Sequence, residues 1–241
     1  HGVKPSACAH FPYVCLIDQR GVRVNLSHYC PTAAAMLFEA REPIAIVDGP
    51  SPIAASGVLE GLDARESLPP RADGARLLPL EDFSAWEREA VASAQMLEWQ
   101  DDDLLWFDRA RSAVPLPWTW QGAPQNAGSL WWSAVAPRWH WFEDALRRYA
   151  AAKVFASWSA YMGDGLDAVQ HTARMAAAVL RVETARQCAI FGRDLDRELM
   201  IEAIRQSDLL LVHYADPSLL ATIATQAGSS AVSASMDRPQ D

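Results

Sequence analysis

The sequence predicts a mainly α-helical protein with a small α+β part at its N-terminal end, in which a β-hairpin carrying cysteines precedes an antiparallel helical domain. Two observations lead to this fold class. Residues 11–28 contain two runs of β-branched and aromatic residues on either side of the turn sequence DQRG. From Asp82 onward, apolar residues recur every three to five positions, which is typical of amphipathic helices that pack together.

The predicted hairpin pairs FPYVCLI with VRVNLSH. Folding the chain back at residues 18–21 places Cys8 opposite Cys30 within a residue or two, and His10 opposite His28. Residues two apart in a strand share a face, so these four side chains converge at the open end of the hairpin. Thiolate and imidazole groups that lie close together are ligands of zinc and of iron–sulfur clusters. We therefore take Cys8 and Cys30 as candidate metal ligands, with His10 and His28 as weaker candidates.

The spacing of these residues leaves an alternative open. The two-residue spacing common among metal-binding cysteines is missing, and two buried thiols with two surface histidines would give the same pattern. Cys15 is seven residues from Cys8, more than about 20 Å along an extended strand, so one ion cannot bind both. Cys188 lies on an apolar stripe and is expected in the core.

The rest of the chain is predicted to be helical after a connector. PTAAAMLFEA begins with proline, which suits a first helical turn, and continues with strong helix formers up to Pro43. Residues 43–80 have the Pro- and Gly-rich composition of a connector. The GDG sequence breaks the later helical pattern, and Asp194 and Asp216 are expected to start two further helices. The predicted units are residues 1–42, 43–80 and 81–227, with a disordered tail at 228–241.

Six of the ten tryptophans fall within PWTWQGAPQNAGSLWWSAVAPRWHW. Such a stretch either lines an aromatic pocket or partner surface, or closes the end of the helical bundle; we favour the bundle, because large aromatic residues are mostly core.

Composition disfavours several classes of partner. The net charge is −9 and no run of Lys or Arg occurs, so nucleic acid and anionic membranes are poor partners. Apolar runs such as DLLLVHY are much shorter than the roughly 18 residues of a membrane-spanning helix. Four unevenly spaced cysteines fit a reducing compartment, so the predicted location is the cytoplasm.

Because the chain starts at His1 in what reads as the middle of a motif, we expect it to be a fragment.

Two motifs carry a resemblance to a known family. KPSACAHFP, at Lys4 to Pro12, and SHYCP, at Ser27 to Pro31, resemble the later half of the YkgJ-type cysteine-cluster family, a bacterial zinc- or iron-chelating family to which flagellin lysine-N-methylase is related. The helical sequences FASWSAYMGDGL, VLRVETAR and AIRQSDLLLVHYAD also resemble the C-terminal region of some members.

The resemblance implies that Cys8 and Cys30 are cluster ligands and that residues 1–42 are the C-terminal half of a cysteine-cluster domain. It implies N-terminal truncation, since the dense cysteine group of the family has no counterpart in this chain. The implied cofactor is an iron–sulfur cluster or zinc, the implied activity is protein lysine N-methylation, and the implied partner is a protein substrate.

Two alternatives remain open. No methyl-donor motif or catalytic base is recognisable, so catalytic residues are not assigned, and the chain is alternatively a non-catalytic α-helical protein-interaction module with structural thiols. A further alternative is a zinc-stabilised fold that uses Cys8, His10, His28 and Cys30 alone.

Overall fold

The protein is mainly α-helical with a small β part, as the sequence predicts. The computed structural model describes residues 11–50, 61–73, 76–94 and 127–222. Cys8, His10 and the predicted tail at 228–241 lie outside the described residues. The strands are β1 (Tyr13–Asp18), β2 (Gly21–Leu26), β3 (Gly61–Asp63), β4 (Arg71–Asp73) and β5 (Arg76–Leu77).

The first helix follows the hairpin directly, and the described chain ends at residue 222 within a helix. In chain order they are α1 (Pro31–Glu39), α2 (Leu80–Ala94), α3 (Ala127–Leu130), α4 (Ala136–Trp139), α5 (Glu143–Val154), α6 (Ser159–Met162), α7 (Leu166–Phe191) and α8 (Arg197–Asp208). A π-helical turn, Trp131–Val135, joins α3 to α4, and another, Leu209–Tyr214, extends α8. A 3₁₀ turn, His140–Phe142, leads into α5, and residues 217–222 are helical. None of the helices described in this structure combines the length and the hydropathy needed to cross a membrane.

The predicted hairpin forms, with a pairing one residue away from the predicted alignment. Tyr13 pairs with Leu26, whereas the predicted alignment places it opposite Asn25. The turn explains the shift, because Asp18 is itself the last paired residue, opposite Gly21. The Asp18 carboxylate accepts a hydrogen bond from the Arg20 main-chain N–H at 2.8 Å, which closes the two-residue turn.

A third strand comes from the segment predicted to be a connector. β3 pairs with β1 in parallel, so β1 is the central strand of the sheet. Gly61 lies opposite Cys15, and a Cβ at this position would be 2.2 Å from the Cys15 carbonyl oxygen. β3 has three residues, too few for their composition to predict a strand. Its pairing depends on a glycine that allows the two backbones to approach closely.

α7 is the central helix of the fold. It packs against α5, α6 and α8, and 16 of its 26 residues are buried. This helix is therefore enclosed around most of its circumference, rather than along the one stripe that the sequence pattern predicts. Cys188 lies in this core, as expected. Gly192, in a left-handed conformation, ends the helix, and residues 192–196 form a short connection to α8.

The sequence predicts helix starts at Asp194 and Asp216, and one of the two is confirmed. The N-cap of α8 is Asp196, whose carboxylate accepts the Leu199 N–H at 3.0 Å, so the start predicted at Asp194 is wrong by two residues. Asp194 instead forms an ion pair with Arg138. The start at Asp216 is confirmed, since its carboxylate accepts the N–H groups of Ser218 and Leu219.

Several side-chain hydrogen bonds connect the hairpin to the helices. The Asn25 amide donates to the carbonyl oxygens of Ala152 and Phe155 at the end of α5. The Trp158 indole donates to the Cys15 carbonyl at 2.9 Å, and the Tyr161 hydroxyl donates to Asp18 at 2.8 Å. These contacts place the hairpin against the helix ends that surround the candidate site.

The described part of the tryptophan-rich stretch, from residue 127 onward, is partly core and partly surface, and Trp118 and Trp120 lie outside the described residues. Trp131 and Trp139 are buried, with ring centroids 4.8 Å apart, and the Arg181 guanidinium lies over both rings. Trp132 and Trp141 are 61% and 63% exposed. Bundle closure therefore accounts for one pair of rings, while the other pair faces solvent.

Candidate functional site

Cys30 lies at the start of α1, as the sequence predicts. It is the N-cap residue, Pro31 follows at the first helical position, and the Cys30 carbonyl accepts the Ala34 N–H at 2.9 Å. The residue is half-buried and is not part of a disulfide. The Cys30 side chain makes no capping hydrogen bond to the first N–H groups of α1.

The other two described cysteines are enclosed in the core. Cys15 in β1 is 0% exposed and Cys188 in α7 is 3% exposed. Burial raises the pKa of the Cys15 thiol. Burial, with the nearby carboxylates of Asp194 and Asp196, raises the pKa of Cys188 to about 11. Of the cysteines in the described ranges, Cys30 is thus the one that is not buried.

The N-terminal end of the described chain lies beside the residue that precedes Cys30. The Pro12 carbonyl accepts the Ser27 N–H at 2.7 Å, and the ring centroids of Phe11 and Tyr29 are 6.3 Å apart. The hairpin therefore brings its two open ends together at Phe11 and Tyr29, while the predicted approach of Cys8 to Cys30 lies outside the described residues.

Two residues of α8 hold the turn at residues 27–30. The Arg205 Nε donates to the Tyr29 carbonyl at 3.1 Å, and the Arg205 guanidinium lies over the Tyr29 ring. The His28 main-chain N–H donates to the Asp208 carboxylate at 2.6 Å. Both contacts join residues more than 170 positions apart, so the position of Cys30 depends on the packing of the last long helix.

The His28 side chain is directed into the interior. It is 4% exposed, its Nδ1 lies 3.4 Å from Asp208 Oδ2, and its ring meets the Tyr149 ring edge-on at 5.7 Å. Burial lowers the pKa of His28, and the neighbouring Asp208 opposes this shift only in part. His28 therefore belongs to a buried polar cluster centred on Asp208, which the sequence did not reveal.

Asp208 is the acceptor that unites this cluster. Its side chain is 0% exposed, and it accepts hydrogen bonds from the Tyr149 hydroxyl at 3.0 Å and the Lys153 ammonium at 2.5 Å. Burial acts against ionisation, but the Lys153 charge and the hydrogen bonds hold the pKa of Asp208 far below its usual range. The carboxylate is thus a paired, ionised group, and its evident role is to fix the surrounding elements.

A second histidine borders the Cys30 turn. His213 Nε2 lies 2.8 Å from the Ser27 hydroxyl, and its ring is 5.7 Å from the Tyr29 ring. Burial lowers the pKa of His213. No sequence pattern predicts this contact, because His213 lies 186 positions from Ser27, in a π-helical turn.

A metal ion would need ligands in addition to those described. Within residues 11–50, 61–73, 76–94 and 127–222, no three His, Cys, Asp or Glu side chains are close enough together to hold one. Of the four predicted ligands, the structure describes Cys30 at the surface turn and His28 against Asp208. Cys8 and His10 lie outside the described residues, so the convergence of all four remains a prediction.

Comparison of the chain with protein-family models, with curated proteins and with solved structures finds no match.

Proposed function

We propose that this chain binds a metal cluster, iron–sulfur or zinc, through Cys8 and Cys30. The observation that carries the proposal is the placement of Cys30, a half-buried thiol at a helix start whose preceding turn is held by Arg205 and Asp208. A ligand fixed in this way loses little conformational freedom when it binds a metal.

Chain connectivity supports the participation of Cys8. Cys8 precedes Phe11 by three residues, and three residues span at most about 10 Å. Phe11 packs near Tyr29, the neighbour of Cys30. Both thiols are therefore able to reach one ion, whereas Cys15 and Cys188 are enclosed in the core.

The environment of His28 favours the iron–sulfur form over a site made of two cysteines and two histidines. Use of the His28 ring as a zinc ligand would require it to leave its place beside Asp208 and Tyr149. Two thiolates do not complete a tetrahedral site, so further thiolates from another part of the protein or from a partner would complete the cluster.

The test is metal and acid-labile sulfide content, with a visible spectrum, after anaerobic purification and reconstitution with ferrous iron and sulfide or with zinc. We expect Cys8→Ala and Cys30→Ala to lose the metal. The matched controls, Cys15→Ala and Cys188→Ala, remove thiols in the core and should retain it. Full metal in Cys8→Ala or in Cys30→Ala would contradict the proposal.

A pair of histidine variants separates the two metals. His10→Ala and His28→Ala should leave an iron–sulfur cluster in place, because its ligands are thiolates. The same changes should release zinc from a site that uses both histidines. Circular dichroism of each variant shows whether the loss of metal is accompanied by loss of helix.

The link to protein lysine N-methylation is a separate proposal that rests on the family resemblance. It predicts that the metal-loaded protein binds a methyl donor, and isothermal titration calorimetry with S-adenosylmethionine tests this. The alternative, a non-catalytic interaction module, draws support from the exposed rings of Trp132 and Trp141. Binding of neither metal nor methyl donor by the folded chain would favour that alternative.

A further inference from the structure

β2 is an edge strand of the three-stranded sheet. The strands lie in the order β2, β1, β3, so one side of β2 pairs with β1 and the other side pairs with no strand in the described parts of the chain. The start of β2 is open to solvent, since Gly21 is exposed and Val22 is 41% exposed. An edge strand presents a row of main-chain groups with which another extended chain is able to pair.

The alternation of hydrogen bonds along the hairpin identifies the residues of β2 that face this free edge. The Ser27 N–H donates to the Pro12 carbonyl at 2.7 Å, which makes Ser27 and Pro12 a hydrogen-bonded pair. Hydrogen-bonded and non-hydrogen-bonded pairs alternate in an antiparallel ladder, so every second residue of β2 back from Ser27 bonds to β1. The residues between them, Val22, Val24 and Leu26, therefore direct their main-chain groups away from β1.

Two of these three outward-facing residues have free main-chain groups. The Leu26 N–H is taken by the oxygen of the Asn25 side chain at 2.8 Å. Val22 and Val24 form no main-chain hydrogen bond on this side with any residue that the structure describes. Their N–H and carbonyl groups form a short ladder that is open to an extended peptide.

The side chain between these two valines carries a positive charge without a partner. Arg23 is half-buried and makes neither an ion pair nor a hydrogen bond within the described ranges. Its Nε is enclosed, whereas its two terminal nitrogens are not. By contrast, Arg20 in the adjoining turn is bound by the carboxylates of Asp18 and Glu87. The open end of the Arg23 guanidinium is therefore available to a carboxylate from outside the fold.

An added antiparallel strand would place one of its residues directly opposite Arg23. Val22 and Val24 would form the hydrogen-bonded pairs with that strand, and Arg23 would lie in the non-hydrogen-bonded pair between them, where opposing side chains are closest. Opposite charges in such a pair are stabilising, and like charges are destabilising. The best-matched segment thus has an acidic residue opposite Arg23 and β-branched residues opposite the two valines.

The same geometry disfavours a second copy of the chain as the partner. A pairing that places Val22 of each copy opposite Val24 of the other also places the two Arg23 side chains opposite each other. The register centred on Val24 instead needs Leu26, whose N–H is already bonded. The net charge of −9 disfavours a strongly acidic partner, so a single carboxylate between apolar residues is the pattern that fits.

We propose that the free edge of β2 at Val22–Val24 binds an extended segment of a partner protein as an added antiparallel strand, with one acidic residue opposite Arg23 and apolar residues on either side of it. The main chain of the segment supplies the attachment, and the carboxylate sets its register. This inference is independent of the metal proposal, because none of the residues that carry it is a predicted metal ligand.

A short capped peptide, Thr-Val-Glu-Val-Thr, tests the proposal by ¹⁵N NMR titration and amide hydrogen exchange on the full chain. In the free chain we expect rapid exchange of the Val22 and Val24 N–H groups, and slow exchange of those of Arg23 and Asn25, which bond to β1. Saturating peptide should slow exchange at the two valines. Slow exchange at both valines in the free chain would show that another segment or a second copy already covers the edge, and would overturn the proposal. The absence of saturable shifts in β2 would overturn it as well.

Two altered peptides separate the main-chain contribution from the charge. Lys in place of Glu should weaken binding about 3- to 10-fold, the size of a change from an opposite-charge to a like-charge cross-strand pair. N-methylation of the two peptide valines removes the donors of the new ladder and should abolish binding. Equal affinity of the three peptides would refute strand addition. This comparison uses the unmodified chain and holds even where a variant fails to fold.

Two variants of the chain assign the contact. Arg23→Glu should reverse the preference, so that the Lys peptide binds more tightly than the Glu peptide. Val24→Pro removes an outward N–H without loss of a bond to β1 and should abolish binding of both peptides. Arg193→Gln is the matched control, because it neutralises an exposed arginine that already pairs with Asp196 and Glu198. An unchanged preference for the Glu peptide in folded Arg23→Glu would contradict the assigned pairing.

Discussion

The main-chain N–H of His28 donates a hydrogen bond of 2.6 Å to the carboxylate of Asp208, joining two residues 180 positions apart. The same carboxylate binds Lys153 of α5 and Tyr149 one turn earlier. One buried charge therefore connects the cysteine-bearing turn to two helices, and it does so without exposure to solvent.

Replacement of this carboxylate tests its structural importance. Asp208→Asn removes the negative charge and leaves Lys153 without a counter-ion in a nearly dry environment, so we expect a loss of about 3 kcal/mol or more in the free energy of unfolding. Urea denaturation followed by circular dichroism measures this. The control is Asp194→Asn, which breaks a pair with Arg138 that is about half exposed and should cost less than about 1 kcal/mol. Equal losses in the two variants would show that the Asp208 pair contributes no more than a surface ion pair.

Thiol reactivity distinguishes the cysteines of the described ranges. At pH 8 we expect an aromatic disulfide reagent to modify Cys30 rapidly in the folded chain, because its thiol is half-buried at a turn. Cys15 and Cys188 should react only when the protein unfolds, since both are enclosed in the core and burial raises the pKa of each. Mass spectrometry of peptides after timed quenching identifies the modified residue. Rapid labelling of Cys188 in native protein would contradict the packing of α7.

Stability should decrease between about pH 9 and pH 11 through Cys188. The pKa of this thiol is raised from 9.0 to about 11 in the folded protein, mainly by burial. Within this range the unfolded chain releases the proton and the folded chain keeps it, so rising pH favours unfolding. The slope from one such group is at most about 1.4 kcal/mol per pH unit. Urea denaturation across this pH range should show a shallower slope for Cys188→Ala; an unchanged slope would mean that the thiol ionises equally in both states.

The pairing of β3 with β1 depends on glycine at position 61, which has no side chain. Gly61→Ala would place a methyl group 2.2 Å from the Cys15 carbonyl oxygen, so the strands must separate. We expect a loss of about 1–3 kcal/mol in the free energy of unfolding, the range for overpacked sites. Gly49→Ala is the matched control, because its Cβ meets nothing within 4 Å and should change stability by less than about 0.5 kcal/mol. Similar values for both would argue against close approach at Gly61.

Local signals predicted the parts of the fold that depend on neighbouring residues. The hairpin turn at Asp18 to Gly21, the helix that begins at Pro31 and the start at Asp216 each follow from a few adjacent side chains acting on their own backbone. Cys30 at a helix start was predictable for the same reason. The helix start at Asp194 was missed by two residues, because an ion pair with Arg138 gives that carboxylate another partner.

Short-range signals are sufficient to predict the mainly helical class, the hairpin and the placement of Cys30 at the first turn of α1, since propensity, proline and turn residues act over short distances. The contact of His28 with Asp208 and the pairing of β3 with β1 depend on tertiary packing. In each case a distant residue supplies the hydrogen-bond partner. That choice follows from the packing of α5, α7 and α8 around shared buried groups, and no local pattern in the chain encodes it.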